Sequence, residues 1–515
     1  MINQLKAQFR KLMPYLILAE ATSYLGHYLP WVETSGFIIL AISAVYLGYK
    51  KYDYLLGLVI VELVIGSKGH LFNITIGNLN LSIRMIFWLI TLFYWFYYFF
   101  VDLNKSENKR LIFNDLLFIN RFGFFWPLLL FTAFAVINGF IHHNNLGNIY
   151  NDANGWLYLL LLWPAAMVTK NWNKEKQSYY FQIIVVAISW LTIKTWLILY
   201  FFSHEFIIIG DFYKWIRVSG VGEITEMKKS FYRIFIQSHI YILAGLVISW
   251  LYLARQTAQK KFRHLINSPI YLFWLSVASL LFSVILIGLS RSFWVGLIFA
   301  ITNISFSVYF NNRERKYFFY NLVKFFSTLI VSLLVSLFLI FIIIKFPIPR
   351  NTLEFDATSV LSDRATEVNE SAIGSRWALL PILGSAIERH WFIGQGFGST
   401  ITYLSKDPRI VEKTGGKFTT FTFEWGWLDI WLKLGLLGLF SYIYILHHLW
   451  KSADKTEYST EIKLVLITII SLHVFTPYLN HPLGIGIILM ISAIISNHTD
   501  LPNRLKSYIL QLIKK

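Results

Sequence analysis

About fourteen apolar runs follow one another along this chain of 515 residues, and that recurrence leaves few folds open. A bilayer core is crossed by roughly 20 mostly apolar residues in a helix. Runs of that kind lie near 12–30, 34–50, 53–67, 84–103, 122–142, 150–169, 178–202, 233–254, 270–290, 293–311, 319–346, 427–449, 461–477 and 480–497. Glu20 and His27 interrupt the first, and the third is short enough to tilt or re-enter. Charged residues make up 14% of the chain and hydrophobic residues 56%, whereas a soluble fold carries about 25% charged. The expected fold class is therefore all-α, a polytopic integral membrane protein with about fourteen transmembrane helices. Its parts are helices 1 to 11 over 1–345, a large loop with short helices over 346–424, helices 12 to 14 over 425–498, and a basic amphipathic tail over 499–515.

The polar stretches between the runs alternate between rich and poor in Lys and Arg. Lys6, Arg10 and Lys11 precede the first run. Further clusters follow the second run (Lys50, Lys51), the fourth (Lys105, Lys109, Arg110, Arg121), the sixth (Lys170, Lys174, Lys176) and the eighth (Arg255, Lys260, Lys261, Arg263). Others follow the tenth (Arg313, Arg315, Lys316), the twelfth (Lys451, Lys455, Lys463) and the fourteenth (Arg504, Lys506, Lys514, Lys515). An even number of crossings separates each cluster from the next, so all fall on one side, and short cytoplasmic loops are the ones that carry the basic excess. Both termini are then expected in the cytoplasm and the 346–424 loop outside. More than half of the 46 Lys and Arg sit in these clusters, so topology and anionic headgroups account for the net charge of +18 without a nucleic-acid partner. The absence of cysteine excludes disulfides, thiolate ligands and thiol nucleophiles. The N-terminus reads as a first anchor without a removed signal peptide. Asn503–Lys515 reads as a basic helix lying on the inner leaflet.

The outer side departs from a plain positive-inside pattern. The loop after the seventh run carries Lys214, Arg217, Lys228, Lys229 and Arg233, and the long loop carries Arg350, Arg364, Arg376, Arg389 and Arg409. Guanidinium groups at headgroup depth suit a ligand bearing phosphates, because the planar fork pairs two oxygens at once. Snorkelling to lipid phosphate is the plainer alternative for any one of them. Arg291 stands apart: Gly288-Leu289-Ser290-Arg291-Ser292-Phe293-Trp294-Val295-Gly296 leaves almost no loop, so its charge is held at the membrane surface by helix ends.

These residues resemble the O-antigen ligase and O-antigen polymerase superfamily of bacterial envelope glycan assembly. Ser290-Arg291-x-x-Trp294-x-Gly296 is similar to the family's Ser-Arg turn. Arg376-Trp377-Ala378-Leu379-Leu380-Pro381, leading through Glu388-Arg389-His390-Trp391 to Gly394-Gln395-Gly396-Phe397-Gly398, is similar to its amphipathic loop helix and following Gly-x-Gly. Glu424 to Leu439, with Gly435-Leu436-Leu437-Gly438, is similar to the stretch that re-enters the membrane, and either Arg217 or Arg233 falls where the family places a further outer arginine. Ligases of the family carry a His-Asn-like pair eleven residues before the first glycine of that Gly-x-x-Gly, where this chain has Glu424 and Trp425. The resemblance therefore implies a repeat-unit polymerase of the Wzy type rather than a ligase, with ligase-type transfer to a lipid or protein acceptor as the alternative.

What the resemblance implies is a GT-C-like architecture and an inverting, metal-independent glycosyltransferase at the outer face of the bacterial cytoplasmic membrane. Its donor and acceptor would be undecaprenyl-diphosphate-linked oligosaccharides, with no cofactor, and its partners membrane lipids, a chain-length regulator and a flippase. Negative charge builds on the departing diphosphate, and fixed arginines stabilise it more in the transition state than in the ground state. Arg291 and Arg376 are the first candidates for the diphosphate, with Arg217 and Arg233 behind them. Glu424 is the candidate base for the acceptor hydroxyl, on the argument that a carboxylate in low-dielectric surroundings has a raised proton affinity; a solvated loop-end charge is the other reading. His390, Asp429 and His481 are secondary candidates, each with a structural role as its alternative. Neither an Asp-x-Asp string in the outer loops nor a His pair at ligand spacing suggests a metal site.

The glycine cluster at 394–398 lacks the βαβ context of a nucleotide fingerprint and is better read as backbone passing close to a helix or glycan. Within the long loop, Trp377, Leu380, Leu383 and Ile387 recur at helical spacing over Ser375 to Arg389, with Pro381 expected to kink or break that helix. Trp391, Phe397, Tyr403, Phe418, Phe421 and Trp425 are candidates for stacking on sugars or for packing the loop. A lipid-linked oligosaccharide flippase is the competing class, although carriers tend to have two related halves and a site at the midplane, and this chain has no repeat.

Overall fold

The computed structural model describes residues 2–76, 79–105, 122–169, 172–206, 209–227, 231–259, 262–310, 318–346, 371–405 and 408–499. The expected tail helix of 503–515 and the cations at 228–229, 313–316, 350 and 364 lie outside them. In chain order the elements are α1 (Ile2–Tyr28), α2 (Pro30–Lys50), α3 (Tyr52–Ile65), β1 (Asn73–Ile76), β2 (Leu79–Ser82), α4 (Ile83–Lys105), α5 (Trp126–Ile141), α6 (Leu146–Trp156) and α7 (Leu162–Thr169). Next come α8 (Lys174–Ser203), α9 (Ile209–Val218), β3 (Glu223–Glu226), β4 (Tyr232–Phe235), α10 (His239–Gln259), α11 (Phe262–Ile266), α12 (Pro269–Gly288), α13 (Arg291–Ser305) and α14 (Phe318–Lys345). The chain closes with α15 (Ser371–Arg389), β5 (Ile401–Leu404), α16 (Pro408–Thr414), β6 (Lys417–Thr420), α17 (Gly426–Ala453), α18 (Ser459–His473) and α19 (Pro482–Thr499). The strands pair only as three antiparallel hairpins, so the protein is all-α and polytopic.

Nine helices among the described residues are long and apolar enough to cross a membrane, against about fourteen apolar runs. The shortfall has local causes. The run near 150–169 is not one helix but α6, a 3-10 segment over Leu157–Leu161, and α7. Helix α18 has 15 residues, α3 has 14, and α1 contains Pro14 and the buried Glu20. Helix α19 is apolar only over Pro482–Ser496.

The chain forms two compact units, one of Met1–Tyr94 with Asn171–Arg364 and one of Trp95–Lys170 with Ala365–Lys515. In the first, α10, α12 and α14 pack on one another, and α1 and α3 pack on α8. Helix α3 is about 21 Å long, too short for a bilayer core of about 30 Å, and its C-terminal carbonyls are buried. They are satisfied from outside the helix: the Lys194 ammonium donates to Ile65 O at 2.9 Å, and Ser238 Oγ donates to Leu63 O at 3.1 Å. A lysine suits that end electrostatically, since the carbonyl end of a helix is its negative pole.

In the second unit α17 packs on α5, α15 and α18, and α19 packs on α7. Helix α15 continues through Pro381, and its buried stripe is Leu379, Leu383 and Ile387, which packs with Ile401, Phe423 and Leu432. Trp377 lies off that stripe and is 56% exposed.

Helix α17 is broken at Gly435, which has φ 70° and ψ −177°. The 391–398 segment is threaded into the break and completes its hydrogen bonding. Gln395 N donates to Leu432 O at 2.7 Å, Gly396 N to Lys433 O at 3.1 Å, and Leu436 N to Trp391 O at 2.9 Å. Asn138 and Asn144, at the end of α5, hold the same segment by its carbonyls at Gly394, Gln395 and Phe397. The approach needs glycine on both sides: a Cβ on Gly394 (φ +75°) would lie 2.6 Å from Gly435 N, and one on Gly435 would lie 2.3 Å from Phe392 O. The glycine cluster thus serves backbone-to-helix contact.

Gly394→Ala is expected to lower stability by well over about 1 kcal/mol, because the alanine meets both a left-handed backbone and a filled space. Gly384→Ala on α15, where a Cβ would meet nothing within 4 Å, should be neutral or slightly stabilising. Thermal unfolding of the two variants in detergent measures the contrast.

Candidate functional site

Each unit carries part of the predicted constellation. In the first, α12 turns into α13 through Leu289, a leucine held at φ +41° and ψ +37°, followed by Ser290. A branched residue in the left-handed region costs on the order of 1–3 kcal/mol and is retained where surrounding structure enforces it. Here it reverses the chain within two residues and places Arg291 as the first residue of α13. The Ser290 and Ser292 hydroxyls are 3.0 Å apart. Arg233, on β4, comes to the same turn: its Nε donates to Gly288 O at 3.0 Å while its guanidinium lies over the Phe235 ring at 5.3 Å. Arg217 is exposed in the last turn of α9 and reaches this corner only through the chain, by way of β3, whose Thr225 is registered opposite Arg233. Of the two arginines left open by the sequence, Arg233 is the one that shares a turn with Arg291.

Behind the corner lies a residue that the sequence reading missed. His239, fully buried at the start of α10, has its Nε2 3.0 Å from Thr195 Oγ1, and a Cβ on Gly288 would stand 3.5 Å from its Nδ1. Deeper in the same unit are two interhelical ion pairs, Glu20–Lys194 at 2.6 Å and Glu62–Arg84 at 2.7 Å. Pairing of this kind is what apolar surroundings demand of an isolated charge.

In the second unit, Glu424 pairs directly with Arg376 ahead of α17, and Trp425 Nε1 donates to Arg376 O at 3.1 Å. The two charged side chains are 51% and 41% exposed. Glu424 is therefore not enclosed by the protein. Arg376 is correspondingly engaged with a carboxylate. Trp425, next to the pair, packs against the core cluster beneath α15.

One turn into α17 the charges are buried instead. Lys433 Nζ lies 2.7 Å from Asp429 Oδ1 and 2.8 Å from Asp152 Oδ1 of α6, with the Phe423 ring centroid at 5.3 Å. Asp152 Oδ2 accepts from Gly398 N at 2.8 Å, and Asp429 Oδ2 accepts from Asn480 Nδ2. Asp429 is thus a buried partner of Lys433 rather than a group facing the Arg376–Glu424 pair. Lys433 and Asp152 were not picked out from sequence, and Asn480 only as part of the Asn480-His481-Pro482 turn, read as a plain turn or a lining of the acceptor path. The first had a readable signal, since Asp429 and Lys433 are opposite charges four apart within one apolar run. Asp152 comes from a distant helix and had none, and Asn480 comes from the turn ahead of α19.

His390 packs its ring edge on His142 at 5.1 Å and accepts Gly394 N through its carbonyl at 2.9 Å, which ties it to the glycine segment. His481 precedes α19, and its Nδ1 accepts Leu483 N at 3.3 Å. Another unforeseen residue, the buried His473, meets Trp427 edge to face at 4.7 Å and accepts Leu479 N through Nδ1 at 3.1 Å. No group of His, Asp and Glu suited to a metal ion occurs among the described residues.

No model of a known protein family matches this chain, and no curated protein matches it. The class that the helices define is an all-α polytopic membrane protein.

Lys433→Met would leave two buried carboxylates without their cation, a loss of roughly 3–5 kcal/mol for a broken buried pair. Adding Asp152→Asn and Asp429→Asn in the same chain should recover most of it. By contrast Arg376→Gln, at an exposed pair, should cost no more than about 1 kcal/mol. Unfolding midpoints of the three variants rank these effects.

Proposed function

We propose that this chain is a bacterial cell-surface polysaccharide polymerase of the Wzy type. It transfers a growing undecaprenyl-diphosphate-linked glycan onto another lipid-linked repeat unit at the outer face of the cytoplasmic membrane, with both termini in the cytoplasm. The observation that carries the reading is the arginine corner. A cation at the first position of a helix is electrostatically misplaced, because the N-terminus is already the positive pole. Arg291 occupies that position on α13, and Arg233 is bonded to Gly288 O three residues before it. Two guanidinium groups and a helix N-terminus at one turn bring together N–H donors of the kind that pair with a diphosphate.

In the transfer, the acceptor hydroxyl oxygen attacks the anomeric carbon of the donor, the bond to the diphosphate oxygen breaks, and its electron pair leaves with the diphosphate. Arg291 and Arg233 stabilise the charge that collects there. The hydroxyl proton passes to a general base, the role proposed for Glu424; within its own unit Glu424 is paired with Arg376, which on this reading is a positioning residue for Glu424 and not a diphosphate ligand. The order of the Ser-Arg turn, the loop helix, the glycine cluster and the Gly-x-x-Gly break supports the same reading.

Purified repeat unit on its lipid carrier, incubated with the reconstituted protein, should yield a ladder of glycan lengths on a gel. Single-step transfer only would indicate a ligase, and no product would overturn the proposal. Arg291→Ala and Arg233→Ala should each slow chain extension by about 100-fold or more, while Arg217→Ala, outside the corner, should have a much smaller effect. Glu424→Ala should abolish long chains while single repeats persist.

A further inference from the structure

We propose that Trp377 and Trp425, bordered by the Arg376–Glu424 pair, form a platform that holds a pyranose ring of the glycan by its C–H face. The inference rests on the polymerase reading and specifies where the sugar is gripped. The two indoles meet edge to face with centroids 5.4 Å apart and planes at 67°. Trp377 is exposed although it stands on a helix whose opposite face is packed. Trp425 is rigid: its Nε1 is bonded to Arg376 O, the Phe475 ring lies at 5.5 Å, and the cluster beneath α15 packs against it.

An exposed tryptophan in a membrane protein commonly anchors at the interface, with its ring among acyl chains and its N–H turned to water or headgroups. Trp425 does not fit that role. Its N–H is bonded to a backbone carbonyl inside the protein, and a half-exposed carboxylate and guanidinium lie at its edge, groups that resist transfer into hydrocarbon. A sugar offers the complementary pattern. One face of a pyranose presents polarised C–H groups, which the negative face of an aromatic ring attracts. Its rim presents hydroxyls, which both donate and accept, as a carboxylate beside a guanidinium requires. Of the other aromatics considered from sequence, Phe397, Tyr403 and Phe418 are engaged with rings elsewhere, while Trp391 is 52% exposed. Phe397 is fully buried against Trp156, with ring centroids 6.2 Å apart, and Tyr403 packs on Phe418 at 5.8 Å within the β5–β6 hairpin.

The test uses the full chain in lipid nanodiscs on an array of bacterial envelope oligosaccharides, with no lipid carrier present. The wild type should bind at least one glycan. Trp377→Ala and Trp425→Ala should each weaken that binding by 10-fold or more. Trp377→Tyr should retain most of it, and Trp31→Ala, at an exposed tryptophan of α2, should leave it unchanged. In a parallel measurement, tail-brominated lipids should quench the wild type and Trp377→Phe to the same extent. Lack of binding to every glycan, equal binding by the alanine variants, or bromolipid quenching that depends on Trp377 would overturn the platform, the last in favour of a membrane anchor. Because binding is read without transfer, a ladder made normally by the alanine variants would sink this inference while sparing the polymerase. Binding that is lost in those variants from a protein that makes no ladder would do the reverse.

Discussion

Backbone groups buried in apolar surroundings have no water to bond, and this constraint decides the two least regular places in the protein. Helix α3 stops inside its unit, and the carbonyls it leaves are taken up by Lys194 and Ser238. Helix α17 opens at Gly435, and the carbonyls and the N–H freed there are taken up by the 391–396 segment. Irregular backbone survives at such depth only where protein closes around it. The glycines at 394 and 435 follow from this, since each removes a Cβ from the one contact that lets the segment reach the break.

Side-chain charges obey the same rule and divide into two populations. Those inside are compensated: Glu20 by Lys194, Glu62 by Arg84, and Asp152 together with Asp429 by Lys433. The last group carries two carboxylates for one ammonium, and the imbalance is met by further donors, Gly398 N and Asn480. Buried pairs of this kind contribute little net stability, since desolvation offsets attraction, but they penalise any packing that separates them. Lys433 thereby fixes α6, α17 and the glycine segment in one arrangement. Arg291 in one unit is half-buried, and Arg376 with Glu424 in the other is partly exposed.

Legibility from sequence followed the range of the interaction. The helix of the 346–424 loop was readable from apolar spacing, because a helical face repeats within one segment; α15 carries Leu383 and Ile387 on its buried stripe as the spacing requires. Trp377 shared that spacing yet faces outward, because which side of a helix is covered depends on what packs against it. The run at 150–169 read as one crossing, and its break into α6, a 3-10 turn and α7 is not marked by any proline at the junction with α6. Glu424 looked like a carboxylate near the membrane; that its partner is Arg376, 48 positions earlier, has no signature in either segment.

By itself the sequence determined the class of protein, since runs of apolar residues leave no other environment in which their surface is stable, and it determined the tight turn at Arg291, since the two apolar runs around it leave almost no residues for a loop. Only the tertiary structure decided which of Arg217 and Arg233 joins that turn, that Asp152 joins the Asp429–Lys433 pair, and that the glycine cluster fills a broken helix. Those outcomes are set by contacts between residues tens to hundreds of positions apart, and such contacts carry no local periodicity from which they could be read.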